Sequence, residues 1–225
     1  ICGRRASLVE TLNWYSEKKK RELIEMFTGI VTAIGELSVK KRTSDAMTIG
    51  IDSKDFDLSD VALGDSIAVS GVCLTVISLN DCQFDADVSL ETLSKTSLGN
   101  KIEGGLVNLE KAMKADSRFG GHIVTGHVDG LGEVESVEEV GDYIQFTVKV
   151  PQVLSRYFAA KGSACVDGVS LTVNTVSENN FTFMTIPHTL SVTTLGSLDR
   201  GSAVNLEIDI IARYLDRLIG ERFGK

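Results

Sequence analysis

Proline is nearly absent from this chain, with two in 225 residues, and tryptophan occurs once. So little proline, with an ordinary apolar share, leaves no bias toward disorder, and a chain of this length can bury one or two full cores. No apolar run approaches the roughly 20 residues that a membrane-spanning helix needs, so a soluble globular chain is expected. Clustered positive charge is scarce as well. Outside the first residues only the short run Lys40-Lys41-Arg42 stands out, and the net charge is -8. That footprint argues against nucleic acid or an anionic membrane as a partner. The four cysteines, Cys2, Cys73, Cys82 and Cys165, show no Cys-x-x-Cys spacing, and a chain this long needs no disulfide staples, so a reducing compartment is expected. Phosphate loops, dinucleotide fingerprints and serine-hydrolase elbows are also missing.

What is present is a repeat. Ser70-Gly71-Val72-Cys73-Leu74-Thr75-Val76 returns 97 residues later as Asp167-Gly168-Val169-Ser170-Leu171-Thr172-Val173. The same shift carries Thr28-Gly29 onto Thr125-Gly126, Gly35-Glu36 onto Gly132-Glu133, Leu98-Gly99 onto Leu195-Gly196, and Val107-Asn108-Leu109-Glu110 onto Val204-Asn205-Leu206-Glu207. One offset held over a domain length means two like-folded halves in tandem. Short stretches rich in Val, Ile and Thr, broken by Gly, Asn, Asp and Ser, read as strands and turns. Residues 67–69, 72–77, 84–88 and 106–109 supply strands of the first half, and 164–166, 169–176, 181–186 and 203–208 those of the second. The fold class is therefore mainly β: two similar barrels of about six antiparallel strands, closed so that no edge is exposed.

Few helices are expected. One is predicted near Lys54 to Asp60 and its counterpart near Gln152 to Phe158, behind Pro151 at a natural first-turn position. Ile211, Leu215, Leu218 and Ile219 mark an amphipathic C-terminal helix, which packs either on another copy of the chain or across its own barrels. The predicted domains are 26–122 and 123–210, with 211–225 as the oligomerisation helix and tail. Residues 1–25, with Trp14 and Lys18-Lys19-Lys20-Arg21, lie outside the repeat and are set apart as a leader remnant or added sequence. A cytoplasmic location is expected, or a plastid or other organelle if this segment is the remnant of a transit peptide; Glu10, Glu17, Glu22 and Glu25 are acidic for one.

Alternation along a strand turns Val72, Leu74 and Val76 to one side and Cys73 and Thr75 to the other; in the second copy Ser170 and Thr172 share the outer side. The outer wall then carries a thiol and a hydroxyl in one half and two hydroxyls in the other. The plainer reading is a solvent-facing strand, where Thr is at home. His122 and His127, five apart, fall on opposite faces of an extended segment, which disfavours a shared metal, and His188 has no carboxylate or cysteine at ligand spacing. His127 stands where the first half has Ile30, an asymmetry suited to an acid or base, although a structural histidine is the ordinary case. Lys161 replaces Gly64 and reads either as a solvated turn residue or as a cationic donor to a developing anion.

Met26-Phe27-Thr28-Gly29-Ile30-Val31, the Cys73-Leu74-Thr75 strand, Glu91-Thr92-Leu93, the stretch from Gly121-His122 to His127, Lys161-Gly162, Asp167-Gly168-Val169-Ser170-Leu171-Thr172 and Val204-Asn205-Leu206-Glu207-Ile208-Asp209 together resemble the riboflavin synthase family, alpha-chain type. The likeness runs from Met26 to about Leu218. It implies a dismutation without cofactor or metal. Two molecules of 6,7-dimethyl-8-ribityllumazine exchange a four-carbon unit and give riboflavin and 5-amino-6-(D-ribitylamino)uracil, the last step of riboflavin biosynthesis.

The resemblance further implies one lumazine in each barrel and a homotrimer joined through the C-terminal helix. The working site would lie between the first barrel of one subunit and the second barrel of a neighbour, and association with lumazine synthase is a further partner. Carried over by motif, the first-barrel pocket is Gly29, Ile30, Val31, Cys73, Leu74, Thr75, Asp87, Val88, Ser89, Leu90, Glu91 and Thr92. The second comprises Gly126, His127, Val128, Ser170, Leu171, Thr172, Met184, Thr185, Ile186, Pro187, His188 and Thr189, with Lys161 at the shared interface and Asp209 near the ribityl chain. Cys73, His127, Lys161, Ser170 and Thr172 would be catalytic. Two features depart from the pattern: residues 1–25 match nothing in the family, and His188 is not a residue expected at its place. The competing function is that of the lumazine proteins of light-emitting bacteria, which hold one chromophore without turning it over and are expected to lose polar residues from one cleft.

Overall fold

The computed structural model describes residues 26–43, 46–53 and 55–223. The first half contributes β1 (Ala33–Arg42), β2 (Ala46–Asp52), β3 (Ser66–Val69), β4 (Val72–Leu79), β5 (Gln83–Ser89), the short helix α1 (Leu90–Lys95) and β6 (Leu106–Lys111). The second repeats the order with β7 (Gly130–Val140), β8 (Tyr143–Lys149), α2 (Gln152–Ser155), β9 (Ser163–Val166), β10 (Val169–Ser177), β11 (Asn180–Thr185), α3 (Pro187–Val192) and β12 (Ala203–Ile208), followed by α4 (Ile210–Phe223). Each set closes into a six-stranded barrel with the same circuit, β1-β2-β5-β4-β3-β6 and β7-β8-β11-β10-β9-β12. Every ladder is antiparallel.

Alternation sets the insides. On β4, Val72, Leu74 and Val76 are buried while Thr75 is exposed and Cys73 half-buried; on β10, Val169, Leu171 and Val173 are buried, with Ser170 half-buried and Thr172 exposed. The first barrel fills with aliphatic side chains around Leu37, Ile49, Ile51 and Leu109. The second core is richer in rings, with Phe146 stacked on Phe183 at 5.1 Å and Phe158 on Phe181 at 4.6 Å.

The C-terminal helix forms where the sequence suggested, but the short helices within the halves differ from expectation. The stretch predicted as a helix near Lys54 to Asp60 is a pair of turns; Lys54 lies outside the described residues. Asp57 Oδ1 accepts the Ser59 N–H at 2.9 Å, a local bond that competes with helix formation, while Phe56 and Leu58 plug the barrel end. The counterpart is helical only over Gln152–Ser155. Two helices that went unpredicted, α1 and α3, carry readable starts: Ser89 Oγ accepts the Thr92 N–H at 3.1 Å as an N-cap, and Pro187 occupies the first turn of α3. The expected strand through Ile186 accordingly stops at Thr185.

The two barrels meet across a pseudo-twofold axis, and most of the repeated motifs lie on it. Gly71 and Gly168, at φ 79° and 81°, stack so closely that a Cβ on either would stand 2.7 Å from the other's backbone nitrogen. Asn108 donates to the Asp167 carbonyl at 2.8 Å and accepts the Thr194 N–H at 2.7 Å. Asn205 mirrors it on the Ser70 carbonyl and the Ser97 N–H at 2.8 and 2.7 Å. Phe27 and Val124 bridge the two lead-in segments between Ala68 and Cys165. Repetition of Val-Asn-Leu-Glu therefore encodes the joint as much as the barrels.

Candidate functional site

The glutamate closing each Val-Asn-Leu-Glu motif shapes the approach to the outer faces. Glu110 accepts the Thr28 N–H at 2.7 Å, the Thr28 hydroxyl at 2.8 Å and the Gly29 N–H at 3.0 Å. Glu207 does the same for Thr125 and Gly126, at 2.7, 2.7 and 2.9 Å. Burial pushes both carboxyls up, against the pull of the donors they hold. Each glutamate thereby fixes the Thr-Gly lead-in of its own half.

That lead-in does not lie over its own barrel's outer face. The Gly29 carbonyl accepts the Ser170 N–H at 2.8 Å, and the Gly126 carbonyl accepts the Cys73 N–H at 2.9 Å. A Cβ on Gly29 would meet Ser170 N at 2.7 Å, and one on Gly126 would meet Cys73 N at 2.8 Å, so only glycine permits the approach. The pockets drawn from the sequence are corrected accordingly. Gly29, Ile30 and Val31 leave the Cys73 cleft and join Ser170 and Thr172, while Gly126, His127 and Val128 leave the Ser170 cleft and join Cys73 and Thr75. An unbroken repeat offset cannot reveal this exchange, because it is the same whether each lead-in folds back or crosses over.

The first cleft thus combines the outward side of β4, Cys73 and Thr75, with exposed His127. Neighbouring β5 adds exposed Asp87, which accepts the Thr48 hydroxyl at 2.6 Å, and Ser89, followed by exposed Leu90 and Glu91 and half-buried Thr92. The second combines Ser170 and Thr172 with Ile30, half-buried Met184 and Thr189, and exposed Ile186, Pro187 and His188. Four expected contact residues turn inward instead. Leu74, Val88, Leu171 and Thr185 are at most 7% exposed and present only backbone to the outer face. Thr185 spends its hydroxyl on the Ile144 carbonyl at 3.3 Å.

Lys161 holds φ 67°, the left-handed conformation that Gly64 holds at 88° in the first half. Its N–H donates to the Val173 carbonyl at 2.7 Å, which sets the exposed lysine beside the strand bearing Thr172. Asp209 sits between β12 and α4, accepts the Ile211 N–H at 2.8 Å and acts electrostatically on His122. As expected, His122 and His127 part company: the first is buried and the second exposed. His122, absent from the sequence-predicted site, lies with Nδ1 2.7 Å from Ser170 Oγ. The glycine pair before it, Gly120-Gly121, was the signal available in the sequence. Among the described residues no three His, Cys, Asp or Glu side chains gather in a way that could hold a metal. A groove of about 330 Å³ lined by Glu133, Lys149 and Pro151 contains none of these residues.

Two like outer faces, each joined by the lead-in of the other half, arise from a repeat that the family comparison also finds. The Lumazine binding domain family model matches the chain twice, over residues 28–112 and 125–209. Riboflavin synthase of Photobacterium phosphoreum is 45% identical over 194 residues, covering 86% of this chain and 89% of that one. The chain belongs to the riboflavin synthase family. Within it, the enzyme of Bacillus subtilis is 44% identical over 194 residues, or 86% of this chain and 90% of its own. Among solved structures, LumP complexed with 6,7-dimethyl-8-(1'-D-ribityl) lumazine superposes with a TM-score of 0.73 at 26% identity, over 81% of this chain and 99% of that one. LumP complexed with riboflavin gives 0.74 at 28% identity, with the same coverage. The family's match begins at Thr28, so residues 1–25 stand outside it.

Proposed function

We propose that this chain catalyses the riboflavin synthase reaction, converting two molecules of 6,7-dimethyl-8-ribityllumazine to riboflavin and 5-amino-6-(D-ribitylamino)uracil. The observation that carries the reading is the pair of clefts: alike enough to take the same compound, unlike enough to treat it differently, and both furnished with polar groups. Cys73, Thr75 and His127 line one; Ser170 and Thr172, with Lys161 alongside, line the other. One lumazine must lose a proton from its C7 methyl, and the resulting carbanion is delocalised over the ring. The other must be held as an electrophile at C6 and C7. Hydroxyl and imidazole groups are suited to carry those protons, and a lysine ammonium to balance the developing charge. Fixing two rings face to face supplies much of the rest, since orientation alone can lower a barrier by about 7–11 kcal/mol.

The reaction centre in this reading forms between the first-half cleft of one copy and the second-half cleft of another, in a homotrimer assembled through α4. Exposed Ile211, Tyr214, Leu215, Leu218 and Ile219 on that helix support the assembly, with a cytoplasmic or organellar compartment and association with lumazine synthase as further parts of it. The fold shared with LumP favours one other reading, a binding protein without turnover. Incubation with the lumazine alone separates the two. Riboflavin absorbance is expected to appear, and saturable binding with no riboflavin would establish the binding protein instead.

A further inference from the structure

Ser170 has a histidine behind it. His122 Nδ1 lies 2.7 Å from Ser170 Oγ, the histidine is only 8% exposed, and its Nε2 is buried with no hydrogen-bond partner among the described residues. A buried polar atom without a partner needs a reason to persist. The backbone is shaped to bring the ring there. A Cβ on Gly121 would stand 2.0 Å from the Thr28 carbonyl oxygen and 2.9 Å from Ser170 Oγ. With glycine in that place, the His122 N–H donates to the Thr28 carbonyl at 3.1 Å and the imidazole reaches the hydroxyl. Burial also lowers the histidine's affinity for a second proton, with Asp209 opposing, which favours the neutral ring.

We infer that His122 is the positioning residue of Ser170, holding the hydroxyl in one orientation toward the lumazine of the second-half cleft; the inference rests on the riboflavin synthase reading. A serine hydroxyl is a free rotor that can donate or accept in several directions. The ring nitrogen fixes which, in either neutral tautomer.

The test is steady-state kinetics on the full chain for wild type, His122→Ala, His122→Asn, Ser170→Ala and the His122→Ala/Ser170→Ala double variant, each checked for folding by circular dichroism. His122→Ala is expected to lower kcat about tenfold to a hundredfold with KM little changed. His122→Asn, whose amide reaches the place of Nδ1, should recover part of the loss, and the double variant should be no slower than Ser170→Ala. Wild-type kcat in His122→Ala, or a loss that adds in full to that of Ser170→Ala, would overturn the inference. If His122→Ala does not fold, His122→Asn takes its place: it must cost more when Ser170 is present than when Ala replaces it, and equal costs overturn the role. Wild-type turnover, measured first, separates the two claims. No riboflavin from wild type removes the functional reading and this inference with it, whereas normal turnover with additive variants removes only the role of His122.

Discussion

Lys161 occupies a backbone conformation that costs an L-residue about 1–2 kcal/mol, at a turn where the first half uses glycine. A side chain kept at a strained position without being needed there for packing is a sign of use. Replacing it with glycine should therefore separate the two effects. Lys161→Gly is expected to raise unfolding free energy by about 0.5–1 kcal/mol in urea titration while lowering turnover at least about tenfold. Turnover that stays level would return Lys161 to the class of solvated turn residues. At this scale much was legible in the sequence. Alternation put Cys73, Thr75, Ser170 and Thr172 on the outer side, and the Gly64 to Lys161 exchange was visible by register. His122 was missed because its partner, Ser170, is 48 positions away and no local pattern joins them.

Among the elements, the joint between the halves is the most demanding part of the fold. Ser70 and Asp167 face each other in the repeat, both in left-handed turns at φ 46° and 47°. Asp167 Oδ1 accepts the Asn205 N–H at 2.8 Å, yet burial pushes its carboxyl up from 3.8 to about 6. The folded chain then binds that proton more tightly than the unfolded one. The protonated form's contribution is complete below about pH 4 and is lost as pH rises toward about 6, on the order of 3 kcal/mol in all. Asp167→Asn keeps the acceptor and tolerates the left-handed turn but cannot ionise. Its melting temperature relative to wild type should climb between about pH 4 and pH 7, and a constant difference would contradict the assignment. Barrel closure and strand identity were readable from period-two patterning. The exchange of the Thr28-Gly29 and Thr125-Gly126 segments was not, because it is carried by hydrogen bonds between residues far apart in sequence. The turns at 55–60 went wrong for a local reason: a side chain of Asp57 took the N–H that a helix would have used.

At the scale of the whole molecule, α4 is held to the second barrel by polar contacts rather than by a buried stripe. Arg213 pairs with Asp129 at 2.5 Å, Tyr157 donates to Asp216 at 2.9 Å, and Arg156 pairs with the same carboxylate. Its apolar residues stay in the open, with Leu218 64% exposed, as a helix that meets another copy would require. Ending the chain before Ile211 is expected to convert a trimer to a monomer in light scattering, and a trimer that survives the cut would rule out α4 as the contact. The helix itself was legible from the spacing of Ile211, Leu215, Leu218 and Ile219, whereas which surface covers it is not a property of one chain's pattern. In the proposed reaction the two unequal clefts make the strongest demand: both would be filled by the same compound, and one molecule would give four carbons to the other. Mass balance in a closed reaction measures this directly. With protein and lumazine only, two lumazines should disappear for each riboflavin formed, with an equal amount of 5-amino-6-(D-ribitylamino)uracil. One lumazine consumed per riboflavin, or lumazine bound and recovered unchanged, would contradict it.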